Sequence, residues 1–199
     1  MASLGTLKKI RNTFAALAAC VPLVVTTVQA QEIASTIIRP GEDKLEIVRL
    51  PTPGGEVILP TAKDRLQNHD QYLFAAARRA GDFVYLSGVI VGRLPGEAND
   101  LPAFKAQLRR AFTNIDRNLK AAGASFPEVV DMQTLAIFGG PDFTGDMNAE
   151  LFAYAEVKAE FMKPPYPTET LVGVSRLVEP GGLMEIRLVA FAPRPGAKH

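Results

Sequence analysis

The chain has 199 residues, with 22 lysines and arginines against 21 aspartates and glutamates, a formal net charge of +1. Its hydrophobic content of 47% and charged content of 22% are those of a globular protein and exclude wholesale disorder. The near-neutral charge argues against a nucleic-acid binder. One cysteine and two histidines exclude a disulfide scaffold and most zinc sites, so no metal is expected. Paired glycines at 54–55, 139–140 and 181–182 predict turns, not phosphate cradles, and no cofactor is expected.

Residues 1–30 have the three-part pattern of a secretory signal peptide. They contain no acidic residue, carry a basic stretch over 8–11, and continue in an apolar run over 14–28. That run is shorter than the roughly 20 residues that span a bilayer, which favours cleavage after Ala30 over an uncleaved anchor. A second interpretation is lipidation at Cys20, although the apolar run before this cysteine is short.

Cleavage after Ala30 implies export across the inner membrane, with the periplasm as the expected location and no stable membrane anchor. The mature chain then carries 19 basic and 21 acidic residues and has no cysteine. A cysteine-free chain suits an oxidising compartment and excludes thiolate catalysis.

The elements that follow the signal peptide begin with an N-terminal extension, residues 31–67. Within it, segments 45–50 and 57–59 are predicted to pair as a hairpin around a proline- and glycine-rich turn. A buried strand is predicted over 82–91, where the sequence reads DFVYLSGVIV. The next element is a helix that begins at Pro102.

The rest of the chain alternates predicted helices and strands. The first helix carries its apolar face on Leu108, Phe112, Ile115 and Leu119, and is followed by a strand over 129–138, a helix over 146–162, and strands over 170–174 and 183–191. This order favours a single sheet with both helices on one face. Since the strands carry apolar residues on both of their faces, the other face of the sheet is expected to meet another subunit.

Four segments in this order resemble the RidA/YjgF family, also called the L-PSP or reactive-intermediate deaminase family. They are AARRAGDFVYLSG (76–88), IDRNLKAAGASFPEVVDMQTLAIF (115–138), FAYAEVKAEFMKPPYPTETLVGVSRL (152–177) and GGLMEIRLVAFAP (181–193). The resemblance places a family-like domain at 68–195. It implies an α+β subunit with a chorismate-mutase-like mixed sheet, two helices on one face, and a homotrimer with ligand clefts between neighbouring subunits.

The resemblance also implies site residues. Ser87 matches the serine of the family's Ser-Gly step, and Glu185 matches the last-strand glutamate that helps to activate a water molecule, so these two are the expected catalytic residues. The cleft aromatic falls on Phe74, which lacks the usual hydroxyl, and Leu171 is grouped with the ligand-binding residues. The arginine that holds the substrate carboxylate in the family falls on Glu169.

Glutamate at the arginine position removes a charge-assisted contact worth roughly 1.5–3 kcal/mol per hydrogen bond. Arg187 is the candidate replacement, because on a regular strand it points to the same side as Glu185. It can instead pair with Glu169 across adjacent strands, or only neutralise one of the two glutamates. If Glu169 and Glu185 share one cleft, at least one of their pKa values is raised; alternatively, Glu169 faces solvent at a subunit edge.

Two functions from different classes fit these residues. The first is an exported hydrolase that acts on an imine, an enamine or a related small nitrogen compound in a cleft between subunits. The alternative is a non-catalytic trimer that binds a small metabolite in the same cleft. The endoribonuclease label given to part of the family is disfavoured by the predicted export and the net charge of the mature chain. The expected partners are therefore a small molecule and further copies of the chain, without nucleic acid.

Overall fold

The computed structural model describes residues 35–194; the predicted signal peptide, residues 1–30, and its Cys20 lie outside this range. The strands are β1 Leu45–Thr52, β2 Gly55–Thr61, β3 Ala77–Ala80, β4 Phe83–Gly92, β5 Val129–Ala136, β6 Thr168–Gly173 and β7 Gly182–Phe191. The helices are α1 Leu101–Ala121 and α2 Met147–Phe161, and a π-helical turn spans Asp64–His69. None of the helices in the described range is long and apolar enough to cross a membrane.

All seven strands form one mixed sheet in the order β1-β2-β3-β4-β7-β5-β6. Neighbouring strands are antiparallel except for β5 and β6, which run parallel. The last strand of the described range, β7, therefore lies between β4 and β5. The predicted α+β class with one mixed sheet is confirmed.

The predicted N-terminal hairpin is confirmed as β1 and β2. Gly54 closes its turn with a φ of +72°, a conformation that only glycine adopts without strain. β2 then pairs with β3, in a register that places Val57 opposite Arg78. The extension is therefore continuous with the main sheet and adds two strands at its edge.

β3 is a strand that the sequence does not predict separately, because two consecutive arginines interrupt its apolar pattern. The strand alternation sends the two side chains to opposite faces of the sheet. Arg79 is buried and donates hydrogen bonds to the carbonyl oxygens of Ala192 at 2.6 Å and Ala122 at 2.8 Å. Arg78 is exposed on the other face. Arg79 thereby ties the end of α1 to the end of β7.

Both helices begin at aspartate caps. Asp100 accepts a hydrogen bond from the Ala103 amide at 2.9 Å, and Asp146 accepts one from the Ala149 amide at 2.8 Å. The apolar face predicted for α1 is confirmed, since its four residues are fully buried: Leu108, Phe112, Ile115 and Leu119. These side chains pack with α2 residues and with core residues of β5 and β7, including Met132, Ile186 and Leu188. Both helices lie on the same face of the sheet, as predicted.

Glu150 on α2 is an exception within this layer. Its side chain is fully buried, and neither carboxylate oxygen has a hydrogen-bond partner in the described part of the chain. Burial raises the pKa of Glu150 to about 7. The helix layer therefore contains a carboxyl group that changes charge near neutral pH.

The sheet face opposite the helices carries an aromatic patch formed by Phe83, Tyr85 and Phe191. Their exposed fractions are 40%, 42% and 41%. The Phe83 ring lies 5.3 Å from that of Phe191 and 6.4 Å from that of Tyr85, measured between centroids. We call this side the open face. The expectation that it meets another subunit stays a prediction.

Candidate functional site

A cavity of about 640 Å³ opens on the open face, beside the aromatic patch. β2, β3, β4 and β7 contribute to its walls, together with the segment that connects the π-helical turn to β3. The lining residues that carry polar or aromatic chemistry are His69, Phe74, Arg78, Tyr85, Ser87 and Arg187. Three of the predicted site residues, Phe74, Ser87 and Arg187, therefore share one cavity.

Ser87 occupies an irregularity in the β4–β7 ladder, whose register shifts between Leu86 and Val89. The Ser87 amide donates to the Ala76 carbonyl at 3.1 Å, and its hydroxyl donates to the Ala75 carbonyl at 2.6 Å. Because this hydroxyl proton is committed to a carbonyl, the Ser87 oxygen presents its lone pairs. Ser87 is thus positioned as a hydrogen-bond acceptor for a molecule in the cavity.

The carboxyl group of Glu185 lies against Gly88, at the edge of the cavity. A Cβ atom on residue 88 would stand 1.9 Å from Glu185 Oε1, so only glycine permits this approach. No hydrogen-bond partner of Glu185 is found within residues 35–194, and burial raises the pKa of this carboxyl group. A half-buried carboxyl with a raised pKa is suited to proton transfer.

Arg187 follows Glu185 on the same side of β7, as the strand alternation predicts. It is exposed and lines the cavity. In the described range no carboxylate oxygen lies within salt-bridge distance of its guanidinium, so it neutralises neither Glu169 nor Glu185. Its donors are therefore available to an anion in the cavity.

Glu169 lies on the helix side of the sheet, opposite the cavity. It accepts hydrogen bonds from Thr134 at 2.8 Å and from Tyr154 at 2.5 Å, and it pairs with Lys158. Burial disfavours its charged form, but these hydrogen bonds outweigh burial and lower the pKa of Glu169. Its side chain is only 19% exposed, so the alternative of a solvent-facing residue is wrong for the protomer.

The alternative in which Arg187 pairs with Glu169 is wrong. β5 separates β6 from β7, and the two side chains project from opposite faces of the sheet. For the same reason Glu169 and Glu185 do not share a cleft within one protomer. Leu171 also lies on the helix side, where it packs against the core, so its expected contact with a ligand stays a prediction.

We expect Glu169→Arg to destabilise the protein by about 3 kcal/mol, because it places a cation beside Lys158 and removes the acceptor of two hydroxyl groups. Urea denaturation at pH 7 measures this change. Glu169→Gln is the control, since it keeps an acceptor oxygen and adds no cation, and it should cost less than half as much. Equal stability of Glu169→Arg and the parent protein would contradict the contacts described for Glu169.

Most residues that line the cavity were not predicted as site residues from the sequence, among them Arg78, Val57 and His69. Arg78 lies in the unpredicted strand β3, and Val57 reaches the cavity through the pairing of β2 with β3. His69, interpreted from sequence as an isolated surface residue, lines the cavity, and its Nδ1 atom lies 2.7 Å from Oδ1 of Asp70. Only the alternation of Arg78 and Arg79 across a short strand could have indicated that one arginine faces this side.

The segment that enters the cavity wall is strained at Leu73. This residue has a φ of +61°, is 85% exposed, and lines the cavity directly before Phe74. A non-glycine residue in the left-handed region costs of order 1 kcal/mol and persists where the surroundings hold it. The Phe74 amide donates to the Asn68 carbonyl at 3.0 Å, which ties this turn to the π-helical segment.

The lining chemistry of the cavity favours an anionic organic molecule. The described lining residues include two arginines and several apolar or aromatic side chains but no aspartate or glutamate. Among residues 35–194, no three histidine, cysteine, aspartate or glutamate side chains are grouped so as to hold a metal ion. A second cavity, of about 390 Å³, contains Arg49, Arg79 and Arg194, but these arginines are bound to Glu56 or to carbonyl oxygens.

The Endoribonuclease L-PSP family model matches residues 63–192. The chain is 32% identical to the RutC family protein YjgH of Escherichia coli (strain K12) over 137 residues, which cover 68% of this chain and 94% of that protein. A solved structure of protein YJGH matches with a TM-score of 0.55 and 30% identity, covering 71% of this chain and 98% of the other.

A second solved structure is that of Rv2704 from Mycobacterium tuberculosis, described as a member of the YjgF/YER057c/UK114 family. It matches with a TM-score of 0.51 and 25% identity, covering 64% of this chain and 94% of the other. Strands β1 and β2 precede the residues that the family model matches, whereas Phe74, Ser87, Glu185 and Arg187 lie within them. The chain therefore belongs to the YjgF/L-PSP family.

Proposed function

We propose that the protein hydrolyses the C=N bond of a small anionic imine, or of the enamine that tautomerises to it, in the cavity on the open face. Membership of the family supports a function on small molecules. The observation that carries the finer proposal is one cavity lined by Ser87 and by Arg187, which has no acidic partner in the described range, with the carboxyl group of Glu185 against the lining residue Gly88. Binding, water activation and positioning can then each be assigned to a residue.

Arg187 binds the carboxylate of the substrate. A guanidinium group offers paired donors that match a carboxylate, and no acidic partner competes for them in the described range. Arg187 thus takes the role that the family gives to the arginine whose place in this chain is occupied by Glu169. Phe74 and Tyr85 provide the apolar surface for the carbon chain of the substrate.

Glu185 activates the attacking water. In its ionised form the carboxylate accepts a proton from water as the oxygen attacks the imine carbon, and the C=N double bond becomes a C–N single bond. Glu185 passes this proton to the nitrogen, which gives a tetrahedral amino alcohol. Glu185 then takes the proton of the new hydroxyl group and passes it to the nitrogen as well, so that the C–N bond breaks and ammonia leaves as the carbonyl forms. Water and imine are thereby converted into a 2-oxo acid and ammonia without a further reactant.

Ser87 positions the water or the imine nitrogen. Its hydroxyl donates to the Ala75 carbonyl, so its oxygen can accept a hydrogen bond from a water O–H or an imine N–H. This places Ser87 as an acceptor and not as a nucleophile, since no base contacts its hydroxyl.

Assembly and export complete the proposal. The aromatic patch of Phe83, Tyr85 and Phe191 supports a homotrimer in which the open face is covered by neighbouring copies. Such an assembly would place the cavity in a cleft between subunits. The pattern of residues 1–30 supports export to the periplasm before assembly.

The experiment is an assay of ammonia release from freshly generated 2-iminopropanoate by the purified protein. We expect Arg187→Gln to raise KM about 10- to 100-fold, because it removes the charged donor to the substrate carboxylate. Arg187→Lys should restore part of the loss, since it keeps the charge without the paired donors. Arg39→Gln is the control, because Arg39 is exposed and does not line the cavity.

Hydrolysis at the background rate by the parent protein would contradict the proposal. If pyruvate still bound in the cavity in that case, the non-catalytic metabolite-binding trimer would be the better description. An unchanged KM in Arg187→Gln would reassign the carboxylate contact to another residue.

A further inference from the structure

The cavity contains a second arginine that has no role in the proposed hydrolysis of an imine with a single carboxylate. Arg78 on β3 is exposed and lines the same cavity as Arg187. Like Arg187, it has no hydrogen bond or ion pair with an acidic side chain anywhere in the described part of the chain. Two guanidinium groups without counter-charges on one concave surface repel each other until an anion joins them.

The register shows that the two arginines can reach one molecule. Arg78 lies opposite Tyr85 on β4, and Tyr85 lies opposite Val189 on β7, two residues beyond Arg187. The two arginines are therefore two strand spacings apart, about 10 Å, and two residues apart along the strands, about 7 Å. Both side chains belong to the open face, because Arg79 and Ile186, their neighbours in sequence, are buried on the other side.

The wall between the two arginines is apolar and aromatic. Tyr85 lies on β4 between the two strands that carry the arginines, and Val57 lies opposite Arg78 on the side of the extension. An apolar wall with an arginine at each end matches a short carbon chain with a carboxylate at each end.

We propose that the preferred substrate of the cavity is the imine of a dicarboxylic 2-oxo acid, with Arg187 on the carboxylate beside the C=N bond and Arg78 on the distal carboxylate. This inference rests on the proposed function for the reaction. It goes beyond that function in assigning Arg78 as the residue that determines specificity. The distal carboxylate is the group that Arg78 recognises.

The test compares the binding of two five-carbon product analogues, 2-oxoglutarate and 2-oxopentanoate, by isothermal titration calorimetry at low ionic strength. They differ only in a terminal carboxylate or methyl group. We expect the parent protein to bind 2-oxoglutarate at least about tenfold more tightly. Arg78→Gln should abolish this preference by weakening the binding of 2-oxoglutarate far more than that of 2-oxopentanoate, and Arg78→Lys should keep part of the preference. Arg39→Gln, which removes the same charge outside the cavity, should keep all of it.

Equal affinities of the two compounds for the parent protein, or a preference that survives in Arg78→Gln, would overturn the inference. Circular dichroism and thermal unfolding of each variant establish that it is folded before it is titrated. The two proposals fail separately. A preference for 2-oxoglutarate without any imine hydrolysis would retain the dicarboxylate site and refute the reaction, whereas hydrolysis of 2-iminopropanoate without this preference would retain the reaction and refute the dicarboxylate site.

Discussion

Glu185→Gln is expected to lower kcat for imine hydrolysis by about 10²- to 10⁴-fold, the usual contribution of a general base. Glutamine fills nearly the same space against Gly88 but cannot accept the proton of the attacking water. Binding of a 2-oxo acid, measured by calorimetry, should stay within about twofold, because Arg187 holds the carboxylate. The variant separates the chemical step from binding.

The pH dependence of imine hydrolysis by the parent protein gives a second measurement on the same residue. Since burial raises the pKa of Glu185, the acid limb of kcat/KM should have its midpoint above 4.5, the ordinary value for a glutamate. The rate should fall as pH drops through that midpoint, because protonation removes the base. Glu46→Gln, at an exposed position on β1, should preserve both rate and profile. Full turnover by Glu185→Gln would refute the assignment of Glu185 as the base.

Glu150→Gln is expected to increase the free energy of unfolding by about 3 kcal/mol at pH 8. The folded protein holds the Glu150 proton up to a pKa of about 7, whereas an unfolded chain releases it near 4.5. Stability of the parent protein should therefore fall as pH rises from about 4.5 to 7, by roughly 1.4 kcal/mol per pH unit, and level off above this range. Glutamine carries no charge, so the variant should lose this slope.

Urea denaturation of the parent and the variant at several pH values between 5 and 8 measures both effects. Glu156→Gln is the matched control on the same helix, because Glu156 forms only an exposed ion pair with Lys105. It should change stability by less than about 1 kcal/mol and keep the slope of the parent. A parent stability that does not vary with pH over this range would mean that Glu150 is ionised in the folded protein.

A helix, strand or turn of this fold was predictable where it depends on a local pattern in the sequence. The apolar spacing of α1 and the turn at Gly54 each depend on a few neighbouring residues, and both appear as predicted. β3 was missed because Arg78 and Arg79 leave only two alanines to indicate a strand. The order of the strands could not be predicted either, since nothing in the sequence of β7 shows that it pairs with β4 on one side and β5 on the other.

The same limit explains the result at the site. The alternation along β7 predicted that Glu185 and Arg187 share a side, and the resemblance to the family at the Ser-Gly step predicted that Ser87 lines the cleft; Ser87 and Arg187 do line one cavity. The alternative in which Glu169 pairs with Arg187 was wrong because the sequence does not show which strand lies beside β6 or which face of the sheet Glu169 points to. Both are decided by the tertiary pairing of the strands. Arg78 reaches the cavity through such pairing as well.

The position of β7 has a consequence for how the protein is made. Residues 182–191 are synthesised after the other six strands of the sheet, yet β4 and β5 have no common neighbour until this strand is present. The meander of β1–β4 can pair as it emerges from the ribosome, whereas closure of the sheet awaits a contact of high sequence separation. A chain arrested or cleaved before Gly182 lacks the strand that joins the two parts, and it lacks Glu185 and Arg187 with it. The proposed carboxylate-binding and water-activating groups are therefore in place only after β7 has been synthesised and has joined the sheet.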